Sequence, residues 1–261
     1  MGRGIYPSPP RPLNRPDEIP VISSPPPMCR TLIRMSTPVI ELRDVRKGFH
    51  TPAGESVRVL DIDHFVLAAG EQCALEGHSG AGKSTLLNVI SGIMRPDTGS
   101  VCVDGHDITR FDEASRDRIR ADKIGLVFQQ FNLLPGFTAL ENVLVAMSFA
   151  SARADRRRAA ELLAAVGLAD RLDHKPAALS VGQQQRVAVA RALANRPLAV
   201  LADEPTASID TARQRQVIDL LRDTCRDQGS ALLVVTHDPA VAEQFPRRLR
   251  LEDFNRAAVR A

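Results

Sequence analysis

The sequence predicts an α/β fold: a core of strands and helices with a small antiparallel flap and a helical insertion. Three observations predict it. Short apolar runs of strand length at 71–76, 124–128, 198–202 and 231–236 are separated by stretches of helical periodicity. A glycine-rich run, 77–85, stands between the first of these strands and a helix. Between Thr138 and Asn195 the chain turns helical and rich in alanine, which interrupts the strand pattern.

The elements follow in order. Residues 1–37 are dominated by proline, including Pro25, Pro26 and Pro27; such a segment cannot bury a core and is expected to be extended or disordered. Met28 and Met35 lie near its end, and either is an alternative to Met1 as the start of translation, with Met35 favoured. Val39–Val45 alternates like a strand with one exposed face, and Asp61–Leu67 resembles a second, ending at the Ala69-Gly70 turn; with them begins the flap. After the glycine loop, Leu86, Leu87, Val89, Ile90 and Ile93 recur at helical spacing. Pro96–Gly99 makes a turn, and Val101–Val103 runs into Asp104-Gly105, a strong hairpin signal.

Ile124–Phe128 reads as a buried strand. Thr138 and Glu141 have the spacing of a capping box that opens a helix. A second helix covers Ala154–Val166 and stops at Gly167; a third begins near Gly182 and ends before Pro197. A further helix, Thr211–Asp227, joins the last two strands. The expected organisation is therefore a core of 38–134 and 196–254, a helical subdomain of 135–195, and a short tail of 255–261.

Composition excludes several classes. In 261 residues, 44% are hydrophobic and 25% charged, ordinary for a globular protein. The net charge of +3 comes from scattered arginine, so a solvated surface is expected and nucleic acid is not an expected partner. No apolar run approaches the roughly 20 residues of a membrane-spanning helix, so membrane attachment is expected only through a partner. Cys29, Cys73, Cys102 and Cys225 form no C-x-x-C pair, which argues against a zinc site or a disulfide framework and for reduced thiols.

The chemistry starts at Gly77-His78-Ser79-Gly80-Ala81-Gly82-Lys83-Ser84-Thr85, which reads G-x-x-x-x-G-K-S, the phosphate-binding P-loop. Its glycines let backbone N–H groups turn toward phosphate oxygens, Lys83 reaches the β- and γ-phosphates, and the Ser84 hydroxyl ligates Mg²⁺. A strand, a glycine loop and a helix N-terminus together form an anion site. Further on, the apolar strand at 198–202 ends in Asp203 and Glu204. Asp203 is placed to hold Mg²⁺ through water, and Glu204 to orient and deprotonate an attacking water.

His237 follows the next buried strand and is expected to bond the γ-phosphate and position water. Gln129, or its neighbour Gln130, follows the 124–128 strand; its amide oxygen suits Mg²⁺ and its amide N–H₂ suits the water. Leu179-Ser180-Val181-Gly182-Gln183 is a polar turn opening a helix, whose positive end is a second site for a γ-phosphate. One chain with two phosphate cradles suggests a site shared between two subunits.

In order and spacing these motifs resemble the ATPase subunits of ABC transporters: the P-loop, Gln129, the L-S-V-G-Q run, Leu201-Ala202-Asp203-Glu204-Pro205-Thr206, and Thr236-His237-Asp238. The resemblance covers about Val39 to Phe254. It is strongest to the lipoprotein-releasing and macrolide-exporter type and its glycolipid-exporter relatives, through Val127–Pro135, Leu140–Val143 and Gln183–Val187. It implies an ABC ATPase fold, ATP and Mg²⁺ as ligands, and ATP hydrolysis that drives a separate permease at the cytoplasmic face of the membrane. It implies export of a lipid, lipoprotein or hydrophobic compound.

The resemblance also implies a head-to-tail pair of cassettes, each ATP lying between one P-loop and the other copy's Ser180, Gly182 and Gln183. Phe49 takes the place of the aromatic that stacks on adenine, and Ser208-Ile209-Asp210 that of the loop coupling the two sites. Val181 stands where the family has glycine; valine disfavours positive φ and adds bulk beside the presumed phosphate site. His78 replaces a proline, with only its backbone expected to matter. Two rival readings are a non-hydrolysing, ATP-gated regulatory subunit, motivated by Val181, and an ABC ATPase acting on DNA or ribosomes. The second is disfavoured by the short span between Lys83 and Ser180, which holds no sustained heptad pattern.

Overall fold

The computed structural model describes residues 38–50, 54–207 and 211–257. The proline-rich segment with its candidate start sites, the Ser208–Asp210 loop and the last four residues lie outside them.

Two sheets organise the fold. Strands β1 (Pro38–His50) and β2 (Ser56–Ala68) pair antiparallel; β3 (Gln72–Glu76) follows and leads through the glycine loop into α1 (Lys83–Ile90). Strands β4 (Thr98–Val103) and β5 (His106–Asp107) form the expected hairpin around Asp104 and Gly105, both at positive φ. The flap is the antiparallel sheet β2-β1-β4-β5. Its first two strands run well past the alternating stretches that announce them, since their outer ends are exposed on both faces.

After α2 (Glu113–Lys123) comes β6 (Ile124–Val127). The helical insertion holds α3 (Ala139–Ser148), α4 (Arg156–Ala165) and α5 (Val181–Ala192). The chain returns through β7 (Ala199–Asp203), α6 (Thr211–Gln228), β8 (Ala231–Thr236), α7 (Pro239–Ala242), β9 (Arg247–Arg250) and α8 (Leu251–Phe254). The second sheet has the order β6-β7-β8-β3-β9, and every pairing in it is parallel.

A parallel sheet covered on both faces needs strands that are apolar throughout, and β8 is buried at all six positions. Alternation along the strands divides the core in two. Ala74, Val200, Ala202, Leu232 and Val234 face the helical side, while Cys73, Leu75, Ala199, Leu201, Leu233 and Val235 face α1 and the flap. The helical insertion is pressed close onto this core. A Cβ on Gly125 of β6 would lie 2.3 Å from the Ala192 carbonyl oxygen at the end of α5, so only glycine allows that approach.

Asn255, directly after α8, is fully buried. Its amide donates to the Val59 carbonyl at 2.9 Å and accepts from the Asp61 N–H at 2.8 Å, pinning β2 of the flap to the core. Cys73 and Cys225 are buried, which pushes both thiols up to about 12, and no disulfide joins the described cysteines. Among the described residues no helix is long and apolar enough to cross a membrane.

Candidate functional site

Four parallel strands end at one edge, and each delivers a chemical group there. The glycine loop follows β3, Gln129 follows β6, Asp203 and Glu204 end β7, and His237 follows β8. Crevices beyond the carboxyl ends of parallel strands are the usual ligand sites of such sheets. Here the crevice is a cavity of about 530 Å³, lined by Val59, Ser79, Gly80, Gly82, Lys83, Ser84, Thr85, Gln129, Glu204 and His237.

The loop is shaped by its own backbone. Gly82 caps α1 at φ +99°, and a Cβ there would sit 2.8 Å from Val59 Cγ1. Only glycine satisfies both the left-handed conformation and the contact with the flap. Lys83 is buried and donates to the carbonyls of Gly77 at 2.7 Å and His78 at 3.0 Å, which holds its ammonium over the loop. Gly77, His78 and Ala81 do not line the cavity; Ala81 is buried and His78 exposed. The expectation that only the backbone of His78 matters needs correction. Its ring Nδ1 lies 2.9 Å from Glu252 Oε1, tying the loop to α8.

The two carboxylates differ. Asp203 is set back from the cavity, next to the Ser84 hydroxyl, and its Oδ1 is buried without a hydrogen-bond partner. Burial pushes its carboxyl above the ordinary range and nearby Glu204 adds to that, against the opposing pull of Ser84 and Lys83. Glu204 sits at φ +46°, a rare conformation for a residue with a side chain. Its N–H still continues the ladder to the Val235 carbonyl at 2.9 Å.

The strained turn brings the Glu204 carboxylate into the cavity, 3.6 Å from Lys83 Nζ and 2.9 Å from His237 Nδ1. The next carbonyl, Pro205, is held by the side-chain amide of Gln185, a buried residue of α5. Gln129 and Gln130 are both exposed, and of the two Gln129 lines the cavity. Its loop is anchored from the helical insertion: Arg191 donates to the carbonyls of Phe131 and Asn132 at 2.7 and 2.6 Å, and buried Asn142 bonds Leu134, Phe137 and Thr138.

Ser180, Gly182 and Gln183 do not reach this cavity. They form the first turn of α5, closed by a capping box in which the Ser180 hydroxyl accepts from the Gln183 N–H and the Gln183 side chain accepts from the Ser180 N–H. Gly182 has no positive φ, and a Cβ on it would meet nothing within 4 Å, so nothing among the described residues requires a glycine. Val181 needs a correction too. It is the first residue of α5, half-exposed at 51%, and is not among the described residues at positive φ. The argument that valine strains this position therefore falls away.

Phe49 also lies outside the cavity. It is 40% exposed near the end of β1 and pairs with Val57, two residues from the cavity-lining Val59. Three features were missed at the sequence level: the contribution of Val59, the strained backbone of Glu204, and the hold of Gln185 on Pro205. The spacing of Gln183, Gln184 and Gln185 along a helix start was the one signal that could have pointed to the third.

A second, larger cavity of about 750 Å³ opens between β6, α2 and the helical insertion, lined by Leu126, Phe128, Leu134, Val145, Phe149 and Arg191 among others. Phe149 at its rim is 71% exposed.

The family model described as ABC transporter matches residues 60–207. The chain is 46% identical over 220 residues to the lipoprotein-releasing system ATP-binding protein LolD 1 of Caulobacter vibrioides, covering 83% of this chain and 94% of that protein. It is 44% identical over 219 residues to the macrolide export ATP-binding/permease protein MacB of Marinobacter nauticus, covering 83% of this chain and 34% of that longer protein. Among solved structures, the cassette MJ0796 in a dimeric post-hydrolysis state bound to ADP and Pi superposes with a TM-score of 0.73. It is 39% identical, over 81% of this chain and 93% of that one.

Proposed function

Because the chain belongs to the ABC transporter family and is one of its ATPase cassettes, we propose that it works as half of a closing pair that drives a separate membrane permease. The observation that carries the reading is the division of its parts. The phosphate loop, Glu204, His237 and Gln129 share one cavity, while the helix start with Ser180, Gly182 and Gln183 lies outside its lining. A second copy, head to tail, brings that helix start onto the triphosphate. Nothing among the described residues crowds Gly182, which suits close approach by a ligand held elsewhere.

In this reading the loop N–H groups and Lys83 bind the phosphates, with Phe49 against the adenine. Glu204 accepts a proton from the attacking water, and His237, hydrogen-bonded to it, fixes its orientation. The partner copy's helix start adds positive potential at the γ-phosphate. Ser84, Asp203 and Gln129 fit Mg²⁺: the orphaned, buried Asp203 oxygen beside the Ser84 hydroxyl is a carboxylate in need of a cation. When bound there, Mg²⁺ supplies neutralising charge to the phosphate oxygens.

The permease would dock a helix in the apolar cavity around Phe149 and hold the cassette at the cytoplasmic face. The names of the relatives make a lipid, a lipoprotein or another hydrophobic compound the favoured cargo, moved outward.

Fractionation in the source cell, with a tagged chain, tests the docking. The wild type is expected in the membrane fraction and Phe149→Glu in the supernatant, with equal ATP affinity. A wild-type chain that never sediments with membranes would remove the permease from the account, and one that releases no phosphate from ATP would remove the engine.

A further inference from the structure

Asp97 lines no part of the nucleotide cavity, yet it is hydrogen-bonded to the strand that carries Phe49. The pairing of β1 with β2 slips at this point: Lys47 lies opposite Leu60 and Gly48 opposite Arg58, so Val59 is passed over. Val59 is thereby freed to line the phosphate cavity, with its side chain against Gly82. Such a slip also bends the strand, just ahead of Phe49.

Asp97, in the turn before β4, grips three consecutive residues of β1 here. Its N–H donates to the Arg46 carbonyl at 2.8 Å. Its carboxylate accepts from the Lys47 ammonium at 2.6 Å and from the Gly48 N–H at 2.7 Å. Held this way, the Lys47 ammonium lies over the Phe49 ring, 5.8 Å from its centroid. One ring face is therefore engaged by a cation, and Phe49 is nonetheless 40% exposed.

We infer that Asp97 is a positioning residue for nucleobase recognition: it fixes the bend in β1 and the Lys47 side chain, so that Phe49 presents one ring face to the base. The inference rests on the reading that Phe49 stacks on the base. A loose aromatic must lose its freedom when a ligand arrives, which weakens binding, and an aromatic fixed beforehand does not. Base stacking on an aromatic ring is tolerant of which base stacks, so Asp97 affects affinity for the base as such and not the choice between purines.

The test is equilibrium titration of the full chain with Mg-ATP and with magnesium tripolyphosphate, which carries the phosphates without base or sugar. Phe49→Ala is expected to weaken ATP about tenfold and leave tripolyphosphate unchanged. Asp97→Ala is expected to weaken ATP about three- to tenfold, again with tripolyphosphate unchanged, and to keep kcat at saturating ATP within about twofold. The double variant should bind ATP no more weakly than Phe49→Ala alone, because both act through one ring. Asp97→Asn, which keeps an acceptor for the Gly48 N–H, should recover part of the loss.

If Phe49→Ala behaves as expected but Asp97→Ala leaves ATP affinity intact, weakens both ligands equally, or adds in full to Phe49→Ala, the role given to Asp97 is wrong. If Phe49→Ala costs no ATP affinity, it is the base-stacking reading that fails.

Discussion

Replacing Glu204 by glutamine separates binding from chemistry. The amide has the shape of the carboxylate, so the His237 ring, 2.9 Å away, keeps an oxygen partner. Lys83 loses a charge at 3.6 Å but keeps the carbonyls of Gly77 and His78 at 2.7 and 3.0 Å, and so stays over the loop. ATP affinity is therefore expected to stay within about threefold of wild type.

The variant loses the group that takes the proton of water. Removing a positioned general base costs about 10²–10⁴-fold in rate, or about 2.7–5.4 kcal/mol of barrier. Phosphate release at saturating Mg-ATP, measured with the permease or as basal turnover, should fall by that amount. With uncleaved ATP the variant should elute as a dimer in gel filtration. A turnover within about threefold of wild type would refute the role of Glu204 as base. A variant loaded with ATP that stays monomeric would refute the shared site.

Val181→Gly should keep or raise turnover, since the side chain is half-exposed on a helix start with ordinary backbone; a large drop in phosphate release would show that valine makes a contact that turnover needs. Asp203→Asn should melt higher than wild type when free of nucleotide at pH 7.5. Burial raises the folded pKa of Asp203, so its contribution to stability is fully present below the unfolded value and is lost as pH rises through the folded one. The advantage of the variant should therefore shrink toward acid pH in a thermal series, while Mg-dependent hydrolysis is lost; a melting point at pH 7.5 equal to or below wild type would contradict it. Gly125→Ala places a methyl group 2.3 Å from the Ala192 carbonyl oxygen and should cost about 1–3 kcal/mol in urea unfolding. Wild-type stability in that variant would mean that α5 and β6 are not in contact.

The core was legible because its signals are local. Strand β8 is five apolar residues closed by Thr236, and the expected limits Ala231–Thr236 are the observed ones. The cavity was legible because Gln129, Glu204 and His237 each follow closely on such a strand and the remaining polar groups belong to a contiguous glycine-loop motif. The unread elements lack an apolar stripe. Helix α2 is polar almost throughout, with Arg116 its buried residue, and β9 is the sequence Arg-Arg-Leu-Arg at a sheet edge. Contacts between distant residues leave no local trace. His78 meets Glu252 across 174 positions, and Gly48 meets Asp97 across 49. The positive φ of Glu204 is imposed by tertiary packing on a residue that does not favour it.

The buried amide of Gln185 roots the turn beyond Glu204 in α5, little more than one turn of helix from the N-cap that carries Ser180 into solvent. A helix transmits displacement along its axis almost undiminished, because its backbone bonds resist compression. A change that slides α5 by an ångström, even at its exposed tip, thus disturbs a bond one residue from the carboxylate. Substitutions far from the phosphates can silence hydrolysis without touching them, and the inner face of α5 is where to look for such variants.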